Sequence, residues 1–183
     1  SQVAKTPMLR GRVTELGGIA AADYDLRNGS AWVLRGDRAL TWSATRPESG
    51  ELIAGEWWPE DYGGKPLASM TAEEANELGV WIGDTVSFNV LGRPVTAKIT
   101  SIRDVEWESF SINFVFVLSP GVLDKAPHSW MATAHADDED AAVRVDRNIA
   151  AVFANISAIS VREAVDTAQR VIGLLGAAVQ MTA

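Results

Sequence analysis

The sequence contains no cysteine, only two histidines, and no long apolar run among its 183 residues. Without cysteine the chain forms no disulfide, offers no thiol nucleophile and builds no cysteine-ligated zinc site. No segment reaches the roughly 18 consecutive apolar residues that a membrane-spanning helix needs, and the N-terminus lacks the basic-then-apolar order of a signal peptide. We therefore expect the chain, taken alone, to be a soluble globular domain.

Basic residues are also scarce, since 16 Lys and Arg face 24 Asp and Glu, for a formal net charge of -8. Such a field repels phosphate backbones, and no cluster of Lys or Arg along the chain interrupts it. Nucleic acid is therefore not expected as a partner, and the negative surface would gain nothing from lying on anionic lipid.

Tryptophan, in contrast, is abundant, with seven residues. Trp42 and Trp81 have apolar neighbours, which predicts that both lie in the core. Trp57, Trp58 and Trp107 lie in acidic, loop-like surroundings. Two interpretations stay open for these three: exposed contacts for a sugar, lipid or protein partner, or buried anchors.

The pattern of apolar residues predicts several strands. Alternation predicts strands at residues 8–16, 39–44 and 85–90, and a turn at 91–94 leads the last one into the return strand of a hairpin. The alternation slips after Thr100, which predicts a β-bulge. The continuously apolar segment 114–118 is typical of a strand that is buried on both faces.

Three helices are predicted. Thr71 and Glu74 form a capping box, in which the Thr71 hydroxyl accepts from the Glu74 N–H, and the helix ends near Gly79. A second helix follows the acidic residues 137–140, which suit a helix N-terminus better than a calcium loop. A short strand at 155–159 then precedes a third, terminal helix.

The terminal helix opens at Ser160 with a second capping box, and its apolar line includes Val165, Ile172 and Val179. Its first part is amphipathic, but every residue from 171 to 179 is apolar or glycine. A helix that is apolar all round is buried in protein or in lipid. Periodicity alone leaves both environments open.

Catalytic and metal sites are weakly indicated. His128 and His135 are seven residues apart, which fits no compact ligand motif, so both are interpreted as surface or strand residues. The carboxylate pairs Glu56 with Glu60 or Asp61, and Glu106 with Glu108, suit a hydrolase only if their pKa values differ strongly. Solvated acids are the favoured interpretation, and the sequence also lacks a phosphate-binding Gly-rich loop and a Gly-x-Ser-x-Gly elbow.

Several motifs together carry a resemblance to a known family. They are LGVWIGDTVSF at 78–88, GRPV at 92–95, VEWESF at 105–110, NF at 113–114, SPG at 119–121, PMLRGR at 7–12, LTWS at 40–43 and GEWW at 55–58. The ordered set resembles the FtsX-like ABC transporter permeases whose extracytoplasmic part is the MacB-type periplasmic core domain. The resemblance is greatest to the branch with two ectodomains that is encoded beside an ATPase.

The resemblance implies an α+β fold, in which a porter-like βαβ-type subdomain carries an inserted, strand-rich, sabre-like subdomain. The porter-like halves would be residues 1–52 and 126–183, and the insertion would be 53–125. Membrane spans would flank the chain, and the helix from Ser160 to Val179 would be the stalk that leads into the membrane. This domain would be periplasmic or extracellular, and its parent would lie in the bacterial cytoplasmic membrane.

The resemblance also implies a mechanism without catalytic residues, cofactors or metals in this domain. A cognate cytoplasmic ATPase would drive the domain through the stalk, and a hydrophobic, lipid-linked or peptide cargo or a periplasmic partner protein would respond. Trp57, Trp58 and Trp107 are the candidate contacts. The alternative is a free-standing binding module that uses these tryptophans on glycans or lipids.

Overall fold

The computed structural model describes residues 3–24, 29–47, 50–105, 112–134, 139–152 and 156–157. The chain divides into two compact units, Ala4–Thr133 and a second made of Ser1–Val3 with Ala134–Ala183. None of the helices within the described ranges is long and apolar enough to cross a membrane.

Nine strands and two α-helices are present in the described ranges. In chain order they are β1 (Val3–Leu16), β2 (Ile19–Ala20), β3 (Asp37–Trp42), β4 (Gly50–Gly55), β5 (Leu67–Thr71), α1 (Ala72–Leu78), β6 (Thr85–Val90), β7 (Arg93–Val105), β8 (Phe116–Leu118), β9 (Ser129–Ala134) and α2 (Glu139–Val152). Two 3₁₀ helices, Ala21–Asp23 and Gly29–Leu34, lie between β2 and β3. The strands predicted at 8–16, 39–44 and 85–90 and the helix after the acidic run are thereby confirmed.

Six of the strands close into a barrel in the order β1–β3–β8–β5–β7–β6 and back to β1. The pairs β3–β8 and β5–β7 are parallel, and the remaining four pairs are antiparallel. Strands β2 and β9 add to β1, and β4 adds to β7. Closure leaves these six strands with partners on both sides, which removes most of the unpaired edge of an open sheet.

The alternation of the sequence explains which side chains fill the barrel. In β6, Val86, Phe88 and Val90 are buried while the residues between them face outward. Phe88 meets Phe116 of β8 edge to face, with ring centroids 5.1 Å apart. All residues from 114 to 118 are buried, as the continuous apolar run predicts, although β8 itself covers only the last three.

The predicted bulge is confirmed at Thr100. Ile99 pairs with Ala68 and Ser101 pairs with Ser69, so Thr100 is the extra residue opposite β5. Because one additional residue reverses the alternation, Ile99 and Ile102 are both fully buried. The hairpin that joins β6 to β7 turns at Leu91 and Gly92, both with positive φ, as a two-residue hairpin loop requires.

Helix α1 spans the predicted residues, but the predicted hydrogen bond from the Glu74 N–H to the Thr71 hydroxyl is absent. The Thr71 hydroxyl donates to the carboxylate of Glu74 and makes no side-chain bond to a helix N–H. Glu74 is 2 % exposed, so its carboxylate lies in the interior, where a hydroxyl donor stabilises it. The helix ends at Gly79, which adopts the left-handed conformation that favours glycine.

A buried polar network links the parallel pair β5–β7, and sequence patterns did not predict it. Arg103 is 1 % exposed. Its Nε donates to the Ser69 hydroxyl at 2.9 Å, and its Nη2 donates to the carbonyls of Phe114 and Val115. The Ser101 hydroxyl also donates to Ser69, at 2.8 Å. Burial lowers the pKa of the Arg103 guanidinium to about 10, and the opposing influence of Glu74 raises it.

The division into porter-like and sabre-like ranges stays a prediction. The barrel takes β1 and β3 from residues 1–52 and its other four strands from 53–125. One cluster of buried apolar residues is shared by both ranges, and it includes Leu9, Leu40 and Phe88. The stalk positions Ser160, Val165, Ile172 and Val179 lie outside the described residues, and so does most of the strand predicted at 155–159.

Candidate binding site

The two neighbouring tryptophans after β4 form a stacked aromatic pair. Their ring centroids are 4.1 Å apart, at an interplanar angle of 32°. The indole N–H of Trp57 donates to the carbonyl of Ala44 at 2.9 Å, and that of Trp58 donates to the carbonyl of Ser43 at 2.9 Å. The loop is thereby fixed to the chain just after β3, and each indole has its one donor satisfied.

Burial assigns the two rings different roles. Trp58 is 4 % exposed and packs in a small second cluster with Phe114 and Val117. It is therefore a buried anchor, the second of the two interpretations left open by the sequence. Trp57 is half-buried, so part of its hydrocarbon surface remains accessible. Trp107 lies outside the described residues.

The pair forms one wall of a cleft of about 420 Å³, which we call the tryptophan cleft. Its lining consists of Gly55, Glu56, Trp57, Trp58, Pro59, Leu67, Ile82, Gly83, Lys98, Ile99 and Thr100. The walls are mainly apolar, with one anionic and one cationic side chain, Glu56 and Lys98, both exposed. Such a lining suits an apolar or aromatic group with at most one charged end.

Glycine is required at position 55, on the floor of this cleft. Gly55 has a φ of 75°, and a Cβ placed there would lie 2.1 Å from the Thr100 carbonyl oxygen and 2.8 Å from Ile82. The absence of a side chain lets β4 approach the bulge of β7 closely and keeps the cleft open.

The opposite wall comes from the turn before β6, where the family motif lies. The Asp84 carboxylate accepts the Trp81 N–H at 2.7 Å. Gly83 and Asp84 also exchange backbone hydrogen bonds with Ile99, at 2.9 and 2.8 Å. These bonds fix the turn against β7, and Ile82 forms part of the cleft lining.

The prediction that Trp81 lies in the core is wrong, whereas that for Trp42 is confirmed. Trp81 is 51 % exposed and Trp42 is 8 % exposed. Val80, with 3 % exposure, takes the buried position after α1, so the next side chain in the turn points to solvent. Trp130, at 54 %, is an exposed tryptophan that the sequence analysis did not select, although its alternating strand context offered a signal.

The candidate catalytic carboxylates that the structure describes lie exposed on the surface. Glu56, Glu60 and Asp61 are exposed to solvent, as the interpretation as solvated acids predicts. Glu106, Glu108 and His135 lie outside the described residues. In the part of the chain that the structure describes, no group of three or more metal-ligating side chains is present.

His128 has a structural environment. Its Nδ1 lies 2.8 Å from the carbonyl of Ala126, and its ring stands edge to face between Trp42 and Trp130, with centroids 5.0 and 5.3 Å away. The Nζ of Lys5 lies 3.9 Å from the centre of the Trp130 ring. These contacts indicate that His128 serves to pack aromatic side chains together beside β9.

Comparison with known proteins gives a similarity that covers part of the chain. A scan against models of protein families gave no match. A curated relative, the uncharacterized ABC transporter permease YbbP of Escherichia coli (strain K12), is 35 % identical over 127 residues. The chain is similar to part of an ABC transporter permease.

The matched region is 69 % of this chain but only 15 % of the permease.

Proposed function

We propose that the chain is the extracytoplasmic domain of an FtsX-like, MacB-type ABC transporter permease and that it moves when a cognate cytoplasmic ATPase hydrolyses ATP. The main support is the 35 % identity over 127 residues with an ABC transporter permease. The ordered motifs, from PMLRGR at 7–12 to SPG at 119–121, point to the same family. In this proposal the helix from Ser160 to Val179 is the stalk that transmits the movement.

The barrel has the physical properties that such a role needs. A domain that transmits displacement must move as a body, and closed hydrogen bonding between six strands opposes internal deformation. The buried contact of Arg103 with Ser69 and with two backbone carbonyls ties β7 to β5 and to the segment before β8. Deformation of the barrel interior therefore requires the breaking of buried hydrogen bonds.

The tryptophan cleft is the surface that we assign to cargo or to a periplasmic partner protein. Trp57 presents an apolar face whose N–H is already used inside the protein. It therefore favours hydrocarbon or aromatic groups over polar ones, which fits a hydrophobic or lipid-linked cargo. The buried ring of Trp58 packs against Trp57 and fixes the position of this surface.

The placement outside the cytoplasm is tested by cysteine accessibility in the full-length permease. Because this chain contains no cysteine, Glu60→Cys in an otherwise cysteine-free permease is a single exposed target. A membrane-impermeant maleimide added to intact spheroplasts is expected to label it. Ala68→Cys, at a position with 0 % exposure, is the control and is expected to stay unlabelled until denaturation. Labelling of Glu60→Cys only after the membrane is permeabilised would overturn the placement.

Coupling to ATP is tested by distance measurements on the reconstituted permease and ATPase. Spin labels at Glu60→Cys and on the ATPase are expected to change their distance between the ATP-bound and nucleotide-free states. Labels at Glu60→Cys and Glu73→Cys, both exposed and both on the unit Ala4–Thr133, are expected to keep theirs. A distance to the ATPase that is the same in both states would contradict the proposed movement.

The alternative, a free-standing module for glycans or lipids, differs in what the isolated domain binds. N-phenyl-1-naphthylamine serves as an apolar probe of the tryptophan cleft, and soluble oligosaccharides serve as glycan probes. Trp57→Ala is expected to weaken binding of the apolar probe, and Trp32→Ala, at a 42 % exposed tryptophan outside the cleft lining, to leave it unchanged. Strong glycan binding by the isolated domain, lost in Trp57→Ala, would favour the alternative.

A further inference from the structure

A second cleft of about 420 Å³ lies on the outer face of the barrel, beside the turn of the β6–β7 hairpin. We call it the arginine cleft. Its lining consists of Arg10, Gly11, Arg12, Thr14, Asp37, Asn89, Leu91 and Gly92. None of these residues belongs to the tryptophan cleft, so the two surfaces are separate.

The pleat of β1 brings the two arginines together. Leu9, Gly11 and Val13 are buried, so Arg10 and Arg12 project from the opposite, outer face. Residues two apart on one face of a strand have Cα atoms about 6.5 Å apart, and both arginine side chains line the cleft. A chain with a net charge of -8 thus concentrates two cations at one point of its surface.

Both strands that flank Arg12 contribute a polar side chain. Arg12 pairs with Asp37 of β3 on one side and with Asn89 of β6 on the other. Its Nε lies 3.6 Å from a carboxylate oxygen of Asp37, and both side chains are more than half exposed. This contact leaves the two terminal nitrogens of Arg12 available to a ligand. Arg10 makes no hydrogen bond or ion pair within the described part of the chain.

The orientation of Asn89 adds a further donor. Its side-chain oxygen accepts the N–H of Gly92 at 3.0 Å, so its amide group is left to donate outward. Thr14 uses its hydroxyl hydrogen on the carbonyl of Ser87 at 3.1 Å. The cleft therefore offers two guanidinium groups and one amide as donors, against a single carboxylate.

We propose that the arginine cleft binds the phosphate group of a small molecule or of a lipid headgroup. Paired guanidinium groups match the several acceptor oxygens of a tetrahedral phosphate, and charge-assisted hydrogen bonds of this kind are the strong ones. The negative net charge does not prevent this, because charges beyond about 8 Å are largely screened at physiological salt. The site is independent of the proposed transport role.

The test is a titration of the isolated domain with inorganic phosphate and with glycerol 3-phosphate at physiological ionic strength, followed by amide NMR. Saturable shifts are expected at Gly11, Asn89 and Gly92. Arg10→Gln and Arg12→Gln are each expected to weaken binding about tenfold, because each removes a charge-assisted hydrogen bond to the phosphate group. Lys65→Gln changes the net charge equally at an exposed site outside the cleft and is expected to leave the affinity unchanged.

Vesicles separate the two sources of phosphate. Sedimentation with phosphatidylglycerol vesicles that depends on Arg10, and is absent with phosphatidylcholine vesicles, identifies a lipid headgroup as the ligand. Saturable binding of glycerol 3-phosphate without sedimentation identifies a soluble ligand. If Lys65→Gln and Arg10→Gln weaken the affinity for the phosphate probes equally, the binding reflects net charge alone and the proposal is wrong. The absence of saturable binding to every probe would also overturn it.

Discussion

Arg103 and Ser69 lie on adjacent parallel strands, and the guanidinium Nε of Arg103 donates to the hydroxyl of Ser69 at 2.9 Å with both side chains excluded from solvent. The pKa of Arg103, lowered to about 10 by burial, still leaves the guanidinium charged at neutral pH. A buried charge contributes to stability only while its partners are complete. This makes the network the most sensitive part of the barrel interior.

Arg103→Met is therefore expected to destabilise the domain by about 3–5 kcal/mol. It removes a buried cation whose hydrogen bonds satisfy the Ser69 hydroxyl and two backbone carbonyls, and whose charge interacts favourably with Glu74. Urea denaturation followed by tryptophan fluorescence measures the change. The double variant Arg103→Met with Glu74→Gln is expected to recover part of the loss. An unchanged denaturation midpoint in the single variant would contradict this account.

Trp58→Ala and Trp81→Ala are expected to differ sharply, although both replace a tryptophan beside the same cleft. Trp58 is 4 % exposed and Trp81 is 51 % exposed. Removing the buried ring is expected to cost about 3–5 kcal/mol, and removing the exposed one about 1 kcal/mol or less. Thermal unfolding of the two variants gives the comparison, and equal losses would show that the assigned burial is wrong.

Gly55→Ala is expected to destabilise the domain by about 2–5 kcal/mol. The positive φ costs part of this, and the clash of the new Cβ with the Thr100 carbonyl costs the rest. Gly63→Ala is the matched control, because a Cβ there meets no atom within 4 Å. Chemical denaturation of both variants is the measurement, and a Gly55→Ala protein as stable as Gly63→Ala would refute the close approach.

Tyr24 is expected to make the domain sensitive to alkaline pH. Its hydroxyl donates to the Leu16 carbonyl at 2.7 Å. Burial, and to a lesser degree the charge of Asp84, raise the pKa of the Tyr24 phenol above its ordinary value of 10.0. The native state then holds this proton more tightly than the unfolded state. The contribution is complete below pH 10 and declines as the pH rises from there through the folded-state pKa.

The free energy of unfolding measured from pH 8 to 11 tests this dependence. Tyr24→Phe is expected to be less stable at pH 8, by about 1 kcal/mol for the lost hydrogen bond, and to lose less than wild type between pH 10 and 11. Parallel pH profiles for the two proteins would be inconsistent with a raised pKa.

Local features of the fold were predictable because short-range patterns encode them. The alternation in β6, the turn at Leu91 and Gly92, and the slip after Thr100 each depend on a few neighbouring residues, and all three are confirmed. Barrel closure depends on pairings between distant segments, for which the sequence of one strand carries no signal.

The candidate site was predictable only in part, for the same reason. The acidic, Pro- and Gly-rich setting of Trp57 and Trp58 marked the right loop. It could not distinguish a buried ring from a half-buried one, because that depends on Phe114 and Val117 more than fifty residues away. Trp81 was placed wrongly because its apolar neighbours lie in a turn, where adjacent side chains point in different directions.

The parallel pairing of β3 with β8 joins Leu40 to Phe116, two residues that are separated in sequence by more than half the length of the unit Ala4–Thr133. During synthesis the six-stranded barrel cannot close until β8 has emerged from the ribosome. Until then the earlier strands have unpaired backbone edges and exposed apolar side chains. Contacts so remote along the polypeptide make folding slow and leave the nascent chain open to aggregation. Truncation before residue 118 would therefore remove part of β8, the strand that completes the barrel, and yield an aggregating fragment rather than a smaller domain.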